Sequence, residues 1–124
     1  MIIAFAKTTP ALLAGAKTVT RRDWKASHAA KFKPGMLVDA YDKSPRHGGK
    51  KVATIRIVSV CRTNAVPASD WEGEGFAWLE GNPPSLRALR EDDCWWRAVW
   101  AYWNGPEHPL LYVVRFEVEP EGRG

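Results

Sequence analysis

A short polar and basic run, residues 17–22, holds the side chains of this sequence that are best suited to chemistry. It contains Lys17, Thr20, Arg21 and Arg22 and no acidic residue. A lysine acts as a base near neutral pH only if burial or nearby positive charge lowers its pKa from the usual value of about 10.4. The two arginines supply such charge. A neutral Lys17 amine could then take the proton of the Thr20 hydroxyl and create an oxygen nucleophile.

The same run has a second use if the lysine keeps its proton. Lys17 would then bind a phosphate or an oxyanion, and Thr20 would donate a hydrogen bond beside it. A solvated surface lysine is the plainest interpretation. The residue types alone therefore leave nucleophilic chemistry, anion binding and solvation open.

The basic residues are concentrated in one part of the chain. The formal net charge is +4, yet residues 17–51 contain ten basic and three acidic residues, so the remainder is net acidic. Such asymmetry within one domain indicates an anionic partner, most commonly nucleic acid, although a lysine-rich surface gives the same count. The basic candidates for nucleic-acid contact are Lys17, Arg21, Arg22, Lys50 and Lys51.

The seven tryptophans divide into two groups by their spacing. The four at positions 95, 96, 100 and 103 follow the period of a helix and predict a packed stripe. Those at positions 24, 71 and 78 lie among turns and charges, where an exposed ring would need a reason. Trp24, which follows two arginines, and Trp78 are therefore the candidates for stacking on nucleic-acid bases.

The elements that position these residues mix strands and short helices. Residues 1–6 predict a buried strand, and Thr9 and Pro10 begin a short helix that Gly15 ends in a left-handed conformation. The β-branched residues 18–20 then favour an extended backbone. Further along the chain, the pattern predicts a helix at 23–35, strands at 36–43 and 51–64, turns with a possible helical turn at 66–85, a helix at 90–104 and a strand at 110–119.

This order predicts an α+β fold, a small mixed β-barrel with flanking helices, in one domain spanning residues 1–124 with a loose tail at 118–124. No apolar run approaches the roughly 18 residues of a membrane span, and no leader pattern begins the chain, so we expect a cytoplasmic protein. Cys61 and Cys94 lack metal or disulfide spacing and are expected to be buried thiols. The three histidines have no ligand spacing either, so neither a metal nor a cofactor is expected.

Four segments together resemble a known family. "LLAGAKTVTRR", followed by "FKPGMLVDAYDK", "KKVATIRIVSV" and "EGEGFAW", is similar to the ASCH domain family of the PUA-like superfamily over residues 2–118. The most specific part is the pattern G-x-K-x-x-T-x-R at Gly15, Lys17, Thr20 and Arg22. The resemblance implies a small pseudo-barrel with a basic cleft, RNA or a nucleotide as ligand and, for some members, enzymatic activity.

The resemblance also implies a third site residue. One branch resembles hydrolases that remove the acetyl group of N4-acetylcytidine with a lysine, a threonine three positions later and a distant glutamate; another is linked to RNA cleavage. Lys17 and Thr20 match the first two residues, and Glu74 in "EGEGF" matches the third, with Glu72 and Glu80 as alternatives. Glu74 would pass protons to the leaving amine. The chain departs from that branch in its tryptophan-rich helix after the glutamate.

Three functions remain open on this basis. The favoured one is a module that binds RNA or a modified nucleotide in a cleft between residues 15–22 and 71–78. The alternative is a metal-independent hydrolase that uses Lys17, Thr20 and Glu74 on an acylated nucleoside or on RNA. A more remote possibility is a regulator whose exposed aromatic residues bind a protein partner.

Overall fold

The computed structural model describes residues 1–83 and 94–120. The strands are β1 (Ile2–Ala4), β2 (Val19–Arg22), β3 (Leu37–Tyr41), β4 (Lys51–Thr63) and β5 (Leu111–Val118). The α-helices are α1 (Thr9–Leu13), α2 (Ala26–Ala29), α3 (Asp70–Gly73), α4 (Phe76–Gly81) and α5 (Trp95–Asn104). Short 3₁₀ turns occupy Ala6–Thr8 and Pro45–His47.

The five strands form one mixed sheet in the order β1-β3-β4-β5-β2. β1 pairs with β3 in parallel, and the other neighbours are antiparallel. The sheet curls into a half-barrel with helices at its flanks, which confirms the predicted α+β class. β1 and β2 form its two edges, so the barrel is open. β4 is long, as the strand predicted at 51–64 indicated, and it has a register shift between Ile57 and Ser59.

The segment after α1 forms an edge strand that the predicted order of elements did not include. Gly15 ends the helical turn with a φ of +74°, as expected for a left-handed helix end. The chain then extends, and β2 pairs along β5 with Thr20 opposite Val114. The β-branched residues 18–20 favour an extended backbone, and the segment forms a strand because the edge of β5 is available for pairing. Val19 to Arg22 are thereby attached to the sheet, and Lys17 lies two residues before the strand.

Two clusters of buried side chains form the core. The first lies between the sheet, α1 and the segment after α2, and it includes Phe5, Phe32 and Phe116. The second joins α4 to α5 through Phe76, Trp96 and other residues. The predicted tryptophan stripe belongs to this second cluster: Trp96 and Trp103 are buried, while the rings at 95 and 100 are half-buried against them.

Three details of the sequence prediction need correction or limits. Residues 118–120 are not a loose tail, because Val118 ends β5 and the Glu119 backbone N–H donates to the Thr54 carbonyl at 2.8 Å. Residues 121–124 lie outside the described residues, as does the predicted helix start at 90–93. Cys94 is buried as expected, whereas Cys61 is exposed on β4 and the prediction for it was wrong. No helix within residues 1–83 or 94–120 is long and apolar enough to span a bilayer.

Candidate functional site

A cavity of about 350 Å³ opens between the first 3₁₀ turn, β2, Glu74 and α5. We call it the Lys17 pocket. Its charged lining consists of four basic side chains and one acidic side chain, and aromatic rings form much of the rest. The charged residues are Lys7, Lys17, Arg21, Arg22 and Glu74, and the rings are Phe5, Phe76, Trp95 and Trp103.

Lys17 lies at the inner wall of this pocket and is only 1% exposed. Its Nζ donates to the Glu74 backbone carbonyl and to Glu74 Oε1, both at 2.9 Å. Burial lowers the pKa of the Lys17 amine, and the Glu74 carboxylate opposes that effect by stabilising the charged form. The amine is thus held in one place by two oxygens of a single residue.

Glu74 reaches Lys17 because a glycine follows it at the corner between α3 and α4. Gly75 has a φ of +89°, which residues with a side chain rarely adopt. A Cβ at this position would lie 2.7 Å from the Ala11 Cβ and 3.4 Å from the Lys17 Cβ. The missing side chain therefore lets the corner pack directly on α1 and on the lysine stem, with the glutamate pointing inward.

Arg21 joins Glu74 to a second buried acid. Its Nη1 donates to Glu74 Oε2 at 2.8 Å, and its Nη2 donates to Asp70 Oδ2 at 2.5 Å. Its guanidinium also lies 5.3 Å from the centre of the Trp103 ring. Both carboxylate oxygens of Glu74 consequently accept from a buried cation, one from Lys17 and one from Arg21.

Asp70 links this cluster to a half-exposed arginine on β5. Arg115 donates from Nη1 to Oδ1 at 2.9 Å and from Nη2 to Oδ2 at 3.0 Å. Burial alone would raise the pKa of Asp70, but the hydrogen bonds from Arg115 and Arg21 lower it below its usual range. The result is a continuous series of alternating charges from Arg115 through Asp70, Arg21 and Glu74 to Lys17.

Thr20 and Arg22 form a second polar pair in the pocket. Arg22 Nε donates to Thr20 Oγ1 at 3.1 Å, and the guanidinium lies 5.4 Å from the centre of the Phe5 ring. Burial lowers the pKa of Arg22, again opposed by Glu74. Since the Thr20 oxygen accepts this bond, its hydroxyl proton remains available for donation.

The structure brings together five of the residues selected from the sequence, namely Lys17, Thr20, Arg21, Arg22 and Glu74. The two alternative glutamates lie elsewhere. Glu72 is exposed and lines a different cavity, and Glu80 binds Arg97 and the indole N–H of Trp96.

The other four nucleic-acid candidates do not line the Lys17 pocket. Trp24 stacks on the core residue Phe32 at 4.6 Å, and Trp78 packs against the second core cluster. Lys50 and Lys51 lie at the start of β4, where Lys51 forms an exposed ion pair with Asp39. Trp24 and Trp78 pack toward the core through apolar contacts, which their polar neighbours in the sequence did not indicate.

Several pocket residues were not selected from the sequence. Trp95, Val99 and Trp103 recur every fourth residue along one face of α5, and this face lines the pocket. That spacing was a usable signal. Lys7 gave none, and neither did Asp70 behind the pocket, because the importance of both depends on partners far away in the chain. Among the described residues, no group of three or more histidine, cysteine or acidic side chains is placed to hold a metal ion.

Two solved structures resemble the chain. One is a crystal structure of an Enterococcus faecalis V583 protein with the family model DUF984, 19% identical, with a TM-score of 0.53 and coverage of 96% of this chain and 76% of that chain. The other is a crystal structure of an ASCH domain from Lactobacillus crispatus JV V101, 21% identical, with a TM-score of 0.49 and coverage of 88% and 68%. No family model and no curated protein matches the sequence. The likeness to the first of these structures concerns the fold alone.

Proposed function

We propose that the Lys17 pocket binds one base of RNA, or a modified nucleotide, and holds the adjoining phosphate with its basic side chains. The observation that carries this proposal is the composition of one cavity, in which cations and aromatic rings face the same space of about 350 Å³. This volume falls in the range of small-ligand sites, roughly 300 to 1,000 Å³.

The charges of the pocket leave two cations for a phosphate. Lys17 and Arg21 are already paired with Glu74, and Arg21 also with Asp70. In the described part of the chain, neither Lys7 nor Arg22 lies within ion-pair distance of an acidic group. A nucleotide phosphate would supply the missing negative charge.

The aromatic lining offers a surface for a planar base. Trp95 is half-buried at the pocket, and the Lys7 Nζ lies 5.7 Å from the centre of its ring. A base stacked on this ring would bring its phosphate within reach of the same lysine. Stacking of this kind accepts every base, because all of them have an aromatic face.

Replacement of Trp95 by alanine is expected to weaken binding by about 1 to 3 kcal/mol, the usual contribution of one base–aromatic stack. The measurement is calorimetric titration with cytidine monophosphate and with a short single-stranded RNA. Trp24→Ala is the matched control, since it removes a ring outside the pocket and should alter stability more than affinity. Equal affinities of wild type and Trp95→Ala would contradict the stacking role, and absence of binding by the wild type would contradict the proposed function.

RNA affinity is expected to fall with salt, with a log-log slope of about −0.7 for each phosphate contacted. Arg22→Met should make this slope shallower by about 0.7, because one phosphate contact is lost. Lys51→Met removes an equal charge outside the pocket and should leave the slope unchanged. Titrations at several salt concentrations test the prediction, and a slope that is the same in all three proteins would place the phosphate contacts elsewhere.

The contact between Lys17 and Glu74 supports a second candidate, a metal-independent hydrolase of acylated nucleosides or RNA. A Lys17 amine that has lost its proton would take the Thr20 hydroxyl proton as the threonine oxygen attacks an acyl carbon. Arg22 would stabilise the oxyanion that forms. Glu74, bonded to Lys17 at 2.9 Å, would return the proton to the departing amine, and water would release the acyl group from Thr20.

A further inference from the structure

Asp70 is a buried acid behind the Lys17 pocket that does not line it. It is 3% exposed, begins the short helix α3 and accepts hydrogen bonds from Arg21 and Arg115. The proposed function gives the phosphate to Lys7 and Arg22 and the base to Trp95, and it assigns nothing to the Asp70 carboxylate. Its placement suggests that it acts on the pocket through Arg21.

We infer that Asp70 is a positioning residue, which holds the Arg21 guanidinium so that Nη1 faces Glu74 and the pocket keeps one arrangement of its buried charges. The inference rests on the proposed function, because it concerns how the same pocket binds its ligand. In this inference, Asp70 affects ligand binding only through Arg21.

The geometry of the guanidinium explains why a second acid is needed. Arg21 has its two terminal nitrogens on different partners: Nη1 on Glu74, and Nη2 on Asp70 and on the Ala65 carbonyl at 3.3 Å. A planar fork bound at both ends has one orientation. Without Asp70, Nη2 would keep only the longer bond to the Ala65 carbonyl, so the guanidinium could turn, and both the Glu74 carboxylate and the basic wall of the pocket would shift with it.

The charge of Asp70 also affects the protonation of the Lys17 amine. Lys17 and Arg21 are the buried cations of this cluster, and Glu74 and Asp70 are the buried anions. The charged groups that act on Lys17 are Glu74, Arg21 and Arg22. Loss of the Asp70 charge leaves Glu74 as the one buried anion for both Arg21 and Lys17, which makes the surroundings of Lys17 more positive and lowers the pKa of its amine further.

Arg115 provides a matched control, because it contacts Asp70 from the opposite side. It is half-exposed on β5 and borders a separate cavity with Ser69 and Gly73. Replacing Arg115 by methionine removes one partner of Asp70 but leaves the contact between Asp70 and Arg21. If Asp70 acts only as a structural ion pair with β5, the two substitutions will have similar effects on binding.

The experiment measures the affinity of wild type, Asp70→Asn and Arg115→Met for cytidine monophosphate and a short single-stranded RNA across a range of pH. We expect Asp70→Asn to weaken binding about tenfold, and Arg115→Met to stay within about twofold of wild type. Loss of the Lys17 proton makes the pocket less positive, so phosphate binding weakens as the pH rises through the pKa of that amine. This alkaline limit should therefore lie at lower pH in Asp70→Asn and be unchanged in Arg115→Met, a shift that a general loss of stability does not produce.

A double-variant comparison keeps the inference testable if Asp70→Asn folds poorly. In an Arg21→Met background, Asp70 can no longer orient the Arg21 guanidinium, so adding Asp70→Asn should change affinity by less than about twofold. A further tenfold loss in that background would overturn the inference, as would wild-type affinity and pH dependence in Asp70→Asn alone. If the wild type binds neither probe, the proposed function itself is wrong. This result differs from the two results that overturn only the inference about Asp70.

Discussion

Replacing Glu74 by glutamine is expected to lower the free energy of unfolding by about 3 to 5 kcal/mol, the usual cost of removing one partner from a buried ion pair. The glutamate is 2% exposed and accepts from Lys17 and Arg21. Glutamine keeps the shape of the side chain and one acceptor oxygen but cannot neutralise two buried cations. Urea unfolding followed by circular dichroism measures the change.

The control is Glu72→Gln, which removes an exposed charge two residues earlier and should alter stability by no more than about 0.5 kcal/mol. Combining Glu74→Gln with Lys17→Met should recover part of the loss, because the stranded cation is removed together with its partner. If Glu74→Gln proves as stable as wild type, the two cations are not held by its charge, and the description of the cluster is wrong.

Thr20→Val is expected to reduce turnover by about 10²-fold or more if the pocket is hydrolytic, because it deletes the attacking oxygen while keeping the branched shape. Thr20 is 4% exposed and lines the same pocket as Lys17. Ligand affinity should fall by only about 1 to 3 kcal/mol, the effect of one lost polar contact. The assay follows N4-acetylcytidine and single-stranded RNA with a chelator present.

Thr18→Val is the matched control for this experiment. Thr18 is an exposed threonine two residues earlier and borders a different cavity. Its replacement makes the same chemical change outside the pocket and should leave turnover as in wild type. A wild-type protein that binds nucleotide but turns over neither substrate would reject the hydrolase, and the binding function would remain.

The residues that could be predicted from the sequence are those whose role depends on near neighbours. The left-handed turn at Gly15 followed from its place after a one-turn helix, and its φ of +74° confirms that prediction. The pattern around Lys17 and Thr20 identified two pocket residues because both lie in the same short segment. The α+β class followed in the same way from the order of local patterns.

The residues that escaped prediction depend on contacts that no local pattern records. The sequence selected Arg21 as a basic candidate for nucleic-acid contact, but only the folded chain shows that it pairs with Asp70 and Glu74. Trp24 lies two residues after Arg22 in the sequence, yet its ring stacks on Phe32 in the core. The sequence shows which side chains are charged or aromatic, but packing in the folded chain decides where each side chain points.

The buried ion pairs also bear on how the protein folds. The hydrogen-bonded contacts of Lys17 with Glu74, of Arg21 with Glu74 and Asp70, and of Arg115 with Asp70 join residues 57, 53, 49 and 45 positions apart. Each charge gains its partner only after a long loop has closed, and entering the core without that partner is unfavourable. Partly assembled forms of the cluster are therefore disfavoured, and the pocket is completed late and cooperatively, together with the docking of β2 on β5.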